Sequence, residues 1–499
     1  MNKFLNGLTD ATNYTYTENG AITHKTTKSA LLDMFAMGGA MRNRSDEDIM
    51  LMFRKAFTEN EVYALKCLFY LRDVRGGQGE RRFFRVCIKD LAINHTEAAR
   101  RNMKHIAEYG RWDDLYALVD TPLEAEMFSF MKEQLALDVE CKTPSLLAKW
   151  LKSENTSSRE SCRLGNKTRF AFGMNHKQYR KTLAVLRERI NVLERLMSEN
   201  RWDEIEFDKI PSKAGLIYKN AFAKHDVERQ KAGAITYADF AKDKSTKVNA
   251  AVLNPVDIAD QIFNTWSPST TDRLMWDKYW ENLKDYYNGR EENGIAVVDV
   301  SGSMSGTPMN AAVSMGAYIA ERGKGPFANH FITFSGRPSL VKFEGVDIYD
   351  KFRRARGADW AMNTNIEATF DLLLNTAIQN KCSQDEVPQT VYIFSDMEFD
   401  ACATTGSTNR YDGYGRITAA QSGTLFESMA KKWAAHGYKL PRVIFWNLDA
   451  RQENIPAIGD GFSFVSGFSM NMIECILSGK DGYDLMMDKL NTERYAVIQ

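Results

Sequence analysis

The stretch NGIAVVDVSGSMS, Asn293 to Ser305, decides how the rest of the chain is read. Ile295 to Val298 form an apolar run that leads into Asp299, and Ser301 and Ser303 follow at alternate positions. A short apolar run bounded by glycine and polar residues reads as a buried strand. The strand therefore delivers one carboxylate and two hydroxyls to its C-terminal end. Pro308 then precedes Met309 to Val313, where a helical pattern resumes, so the unit is strand, oxygen-rich loop, helix. Such an oxygen set suits a small hard cation such as Mg²⁺, which keeps open positions for water or a partner's carboxylate.

Downstream of Gly294 the pattern alternates. Strands are expected at 294–299, 329–335, 339–344, 390–396, 442–448 and 462–466, and helices at 309–322, 365–379, 425–436 and 470–478. Short apolar strands alternating with helices predict a mostly parallel sheet covered on both faces. The working edge of such a sheet is at the carboxyl ends of its strands, where Asp299 and Ser395-Asp396 both fall.

Upstream, the polar run Asn288 to Asn293 marks a domain boundary. Residues 1–28 read as an irregular segment or an edge hairpin, and 29–290 as helices. Ser45-Asp46-Glu47-Asp48 is a capped start with Ile49, Met52, Phe53 and Ala56 on one stripe, and Thr58-Glu59-Asn60-Glu61 restarts the same logic. Helices follow after the glycine turn Arg75 to Arg81, then at about 97–119, 122–138, 145–152 and 177–197. The Ser-, Arg- and Asn-rich residues 153–175 read as a long loop, and 241–254 as a second irregular stretch. Repeated helix pairs without a fixed period suggest a HEAT-like helical array.

The chain is neutral overall, with 65 basic and 65 acidic residues, but the charge is unevenly spread. Residues 291–499 hold 19 Lys and Arg against 25 Asp and Glu, so the first 290 residues carry the opposite excess. Residues 141–240 alone hold 20 basic and 12 acidic residues. That division points to different partners for the two halves. The seven cysteines include no C-x-x-C pair, which argues against a disulfide framework and a zinc site. No stretch approaches the ~18 apolar residues of a membrane span, so a cytoplasmic, membrane-free setting is the expectation.

The loop at Asp299 gains specificity from two later pieces, Met362-Asn-Thr364-Asn-Ile366 opening a helix and Ile393-Phe-Ser-Asp396 closing a strand. Together they complete an Asp, Ser, Ser, Thr, Asp set, and residues 291–499 resemble a von Willebrand factor A domain with a metal-ion-dependent adhesion site. That resemblance implies Asp299, Ser301, Ser303, Thr364 and Asp396 as ligands of Mg²⁺ or another divalent cation. Glu398 and Asp400, just beyond, are either tuning groups or ordinary loop charges.

Leu71-Arg-Asp-Val-Arg-Gly-Gly-Gln-Gly-Glu-Arg81 inside a helical array, followed by such a domain, is similar to the TROVE proteins, which include the Ro autoantigen. A related, uncharacterised family of plants, fungi, bacteria and phages is closer. Its motifs resemble Ala148 to Asn155, Ile210-Pro-Ser212, Phe222 to Asp226 and Phe394 to Met397. TROVE proteins fold as a helical-repeat ring closed by the A domain and bind RNA on basic surfaces. The resemblance thus implies a ring-shaped helical domain and an RNA partner.

From the residues themselves, an RNA surface would use Arg75, Arg81, Arg82, Lys149, Lys152, Lys177, Arg180, Lys181 and Arg187, with Trp150, Phe170, Phe172 and Tyr179 interleaved for stacking. The glycine turn lacks the G-x-x-x-x-G-K-[ST] spacing of a phosphate loop; its arginines either meet an anion or pair with Asp73. His176 and His225 have no partners at ligand spacing. No Ser/His/Asp order or paired-carboxylate signature emerges, so a non-enzymatic protein is expected. The competing expectation is a metal-dependent protein-interaction module that binds no RNA.

Overall fold

The computed structural model describes residues 9, 12–334, 338–357, 365–400 and 424–499. Cys402 and residue 335 of the expected strand 329–335 lie outside them. The chain divides into two compact units, each assembled from separated segments. The first contains residues 1–64, 253–268 and 283–492, and the second contains 65–252, 269–282 and 493–499.

The first unit is built on a six-stranded sheet, ordered β5-β4-β3-β6-β7-β8. Its strands are β3 (Gly294–Asp299), β4 (His330–Phe334), β5 (Ser339–Lys342), β6 (Thr390–Ser395), β7 (Arg442–Asn447) and β8 (Phe462–Ser466). All neighbours are parallel except the β4–β5 pair, as the alternating pattern predicts. The chain runs outward from β3 through β4 to β5, then crosses back to β6 and runs outward the other way. That reversal lies between β3 and β6, and a crevice opens at the carboxyl ends of strands where their order reverses.

The helix Thr307–Arg322 follows the loop and packs on β3. Gly316 allows the approach, because a Cβ there would stand 2.4 Å from Val298 Cγ2. Asn310 of this helix donates to Asp260 Oδ1 at 2.7 Å, which anchors the helix Pro255–Phe263 against it. Elsewhere Phe426 meets Phe445 edge-on at 4.7 Å, with Phe370 and Phe462 around it. Each large apolar side chain so buried contributes roughly 1.5–3 kcal/mol.

Residues 14–64 complete this unit. The strands β1 (Tyr14–Tyr16) and β2 (Ile22–His24) form the edge hairpin. The helix Ala30–Met37, capped by Ser29, packs on β8. There Ser466 Oγ donates to Phe35 O at 3.0 Å and accepts from Gly39 N–H at 2.9 Å. Two helices fall outside the expected set, Ile348–Arg356 and Gly482–Leu490.

The second unit is helical. The expected loop 153–175 is a correction: only its ends are irregular, and Arg159–Ala171 is a helix capped by Ser158. Its polar composition hides a narrow buried stripe of Leu164, Gly165 and Thr168. The helix expected over 177–197 breaks in two, His176–Arg189 and Leu193–Ser198, at Asn191, which adopts φ 47°. Asparagine tolerates that left-handed conformation and ends helices. The region 97–119 is likewise split into short α- and 3₁₀-helical turns.

The glycine turn is anchored rather than free. Asp73 is fully buried and accepts from Arg494 Nη2 at 2.6 Å and Tyr495 Oη at 3.0 Å, so its ion-pair partner is Arg494, while Arg75 of the turn donates its backbone amide to Oδ1 at 3.0 Å. Gly77 is required because a Cβ would stand 1.8 Å from Tyr70 O. Beside it, Arg72 pairs with Asp114 at 2.7 Å, both side chains buried.

Candidate functional site

Asp299 closes β3 and is fully buried. Its Oδ1 accepts the Ser301 amide at 2.9 Å, and its Oδ2 accepts the Ser395 hydroxyl at 2.6 Å. The Ser301 and Ser303 hydroxyls lie 2.9 Å apart. Across the sheet reversal, Asp396 follows β6; its Oδ1 accepts the Glu398 amide at 3.1 Å, and its Oδ2 stands 3.2 Å from Arg451 Nη2. Between Asp396 and Glu398, Met397 holds φ 65°, a strained conformation of the kind that collects at functional sites.

Burial first, and then the charge of Asp396, push the Asp299 carboxyl up to about 7 despite the Ser395 and Ser301 hydrogen bonds. Two buried carboxylates therefore repel one another at the end of the sheet. Asp396 Oδ2 is buried and makes no aligned hydrogen bond, with the Arg451 cation 3.2 Å away. Asp299, Ser301, Ser303 and Asp396 thus offer an oxygen-only set that a hard divalent cation fits. Thr364, the remaining expected ligand, lies outside the described residues. Among the described residues no three His, Cys, Asp or Glu side chains gather at ligand spacing, so a cation here would depend on the serine hydroxyls.

Glu398 is fully buried and ties the N-terminal segment down, accepting from the Glu18 amide at 2.7 Å and Asn454 Nδ2 at 2.8 Å. Burial pushes its carboxyl up to about 7. Asp400 pairs as an isolated bridge with Gly20. Arg451, which joins Asp396 to Glu18, carries no signal in the sequence that would mark it.

The nine basic residues differ in what they touch. Lys177, Arg180 and Lys181 are exposed on the helix His176–Arg189. Lys149 lies 3.6 Å from Glu194, and Lys152 lies 3.8 Å from Asp113. Arg187 spends its guanidinium inside the fold, on Ala148 O and Leu151 O at 2.8 and 2.9 Å, whereas the exposed Arg75 donates to Glu108 O at 2.7 Å. Arg82 begins the helix Arg82–Asn94 and donates its amide to Glu80 at 2.9 Å. Arg81 precedes it and is exposed. Sequence reasoning missed Arg85 and Arg111, which are held by Asp113 and Asp114 nearby.

Of the four aromatic side chains, Phe172 and Tyr179 are core residues, whereas Phe170 is 76% exposed with Arg169 over its ring at 4.8 Å. Trp150 is half-buried beneath the Arg111 guanidinium at 4.1 Å. His176 pairs with Glu154, and His225 stacks on Trp202 at 3.8 Å.

Residues 17–169 and 145–299 match a domain of unknown function, DUF2828, and residues 293–495 match a second, DUF7788. The uncharacterized protein L728 of Acanthamoeba polyphaga mimivirus is 31% identical over 515 positions, covering 94% of this chain and 85% of that protein. Among solved structures, the Deinococcus radiodurans RO (RSR) protein aligns over 93% of this chain and 99% of its own, at 13% identity and a TM-score of 0.40. A likeness that loose supports no statement about function.

Proposed function

The chain belongs to the DUF2828 family, which is defined without an activity, and from that premise we propose that it is a non-catalytic RNA-binding scaffold of the Ro/TROVE type. In this reading the helical unit is a HEAT-like array whose basic face holds structured or single-stranded RNA. The sheet unit is a von Willebrand A-type domain whose Asp299, Ser301, Ser303, Thr364 and Asp396 hold one Mg²⁺. When bound, the cation supplies a bridge to a partner's carboxylate. Asp299 and Asp396 supply the negative charge, and the serine hydroxyls fix the geometry.

The observation that carries the RNA reading is the exposed cationic row Lys177, Arg180 and Lys181, within residues 141–240 where 20 basic residues face 12 acidic ones. Lysine and arginine bind nucleic acid by neutralising phosphates and releasing counterions. No helix among the described residues is long and apolar enough to cross a membrane. We place the protein in the cytoplasm. Filter binding of RNA across a salt series tests the reading: affinity that falls steeply with salt supports it, and affinity that is absent or indifferent to salt removes it.

The buried Asp299 and Asp396 pair supports a second reading, a metal-dependent protein-interaction module that binds no RNA. Asp299→Ala separates the two. It abolishes partner capture under the second reading and spares RNA binding under the first.

A further inference from the structure

The helical unit contains a second concentration of charge with the opposite sign. Arg72, Arg85, Arg111 and Lys152 share the two carboxylates Asp113 and Asp114, and Arg81 adds a fifth positive charge beside them. Asp114 is fully committed: Oδ1 to Arg85 Nε at 2.6 Å, and Oδ2 to Arg72 Nε and the Arg111 amide, each at 2.9 Å. Asp113 is shared among Arg85, Arg111 and Lys152.

The cations outnumber the carboxylates that hold them. Arg85 Nη2 and Arg111 Nε each lie 3.0 Å from an oxygen of Asp113, and Arg111 Nη2 donates to Asp113 Oδ2 at 3.2 Å, so this one carboxylate is divided among three cations. Arg81 stands one helical turn before Arg85, on the same face, and makes no ion pair with a carboxylate among the described residues. Partial burial, and then the charges of Arg111, Arg85 and Arg72, hold its guanidinium below the usual arginine range. Trp150 lies flat under Arg111, which fixes that guanidinium's direction before any ligand arrives.

From this geometry we infer that Arg81, Arg85, Arg111 and Lys152 form a binding site for one phosphate group. A tetrahedral dianion or a phosphodiester offers several oxygens to several guanidinium forks, which a single carboxylate does not. The phosphate comes either from an RNA backbone, in which case the site rests on the RNA reading above, or from a free phosphate compound. Arg85 and Arg111 take the oxygens, Arg81 closes the mouth, and Lys152 adds charge.

The test uses the full chain and the variant Arg81→Ala, which removes an exposed side chain without an ion pair and leaves the thermal midpoint unchanged. Calorimetric titration with inorganic phosphate, and anisotropy with a labelled twelve-nucleotide oligouridine, are measured for both proteins. The expected result is one phosphate site in the parent, with affinity for phosphate and RNA lowered about tenfold by Arg81→Ala, the loss of one charge-assisted contact. Phosphate bound and lost on Arg81→Ala while RNA does not bind supports the site, assigns it to a free phosphate compound, and sinks the RNA reading. RNA bound equally well by parent and variant, with no phosphate site, overturns the inference and spares the RNA reading. Equal competition by an oligoglutamate peptide also overturns it.

Discussion

The two units each gather unbalanced charge, and they do so with opposite signs. At the end of the sheet, Asp299 and Asp396 crowd together with Arg451 beside one of them. In the helical unit, two aspartates are shared by four cations, with Arg81 as a fifth nearby. Buried like charges cost free energy unless something of opposite sign compensates them. The difference between the regions therefore indicates what each is suited to receive: a hard cation at the sheet and an anion at the helices. Ordinary core packing would have been served better by apolar residues in both places.

The strongest way to break this comparison is at Asp114, the carboxylate that holds the helical cluster together. Asp114→Ala leaves Arg72 buried and unpaired, and should destabilise the protein by about 3–5 kcal/mol in denaturant unfolding. A smaller loss would mean that the cluster is open to water and its charges are already compensated by solvent.

Divalent-cation removal addresses the other region. A cation bound only by the folded state stabilises it by about 2.7 kcal/mol at a hundred times its dissociation constant. Adding Mg²⁺ to chelator-treated protein should raise the thermal midpoint, and Ser303→Ala should blunt the rise. An equal rise in parent and variant would place the cation elsewhere.

Acidity sharpens the contrast between the units. The Arg72 and Arg85 charges outweigh burial and hold Asp114 below its ordinary 3.8, so its contribution is complete above that value and is lost as pH falls through the lower folded value. Glu292, in the sheet unit, goes the other way. Burial raises it above its ordinary 4.5 despite the hydrogen bond from Tyr392, so its contribution is present below 4.5 and is lost as pH rises through the folded value. Asp114→Asn should therefore flatten the stability curve on the acid side, and Glu292→Gln should flatten it above 4.5. Identical curves for the parent and both variants would contradict these assignments.

The smallest structural effect is expected on the exposed helix. Replacing Lys177, Arg180 and Lys181 together by Ala should change stability by no more than about 0.5 kcal/mol. The same change should make the salt slope of single-stranded RNA binding shallower by about 2, three phosphate contacts at roughly 0.7 each.

Much of the sheet was legible because its signals are local. The run Ile295 to Asp299 and its alternating serines required only the strand period and the rule that sites gather at carboxyl ends. The grouping of Asp299, Ser301, Ser303 and Asp396 follows from those signals. What escaped depends on long-range contact. Nothing near Arg451 announces that it meets Asp396, and nothing in residues 14–40 announces that they pack with β8 and Glu398. Arg85 and Arg111 were missed for the same reason, since their importance comes from Asp113 and Asp114 being brought to them by folding. Helix 159–171 was hidden by composition, its buried stripe being a leucine, a glycine and a threonine amid charged neighbours. Phe172 and Tyr179 looked like stacking platforms in a basic stretch, yet their burial makes them part of the core.

The most direct test of the central claim is the affinity of the full chain for a single-stranded RNA measured from low to high salt. A basic surface that holds RNA predicts that log affinity falls linearly with log salt, with a slope of about −2 or steeper. Binding that is absent at low salt, or unchanged across the series, would contradict it.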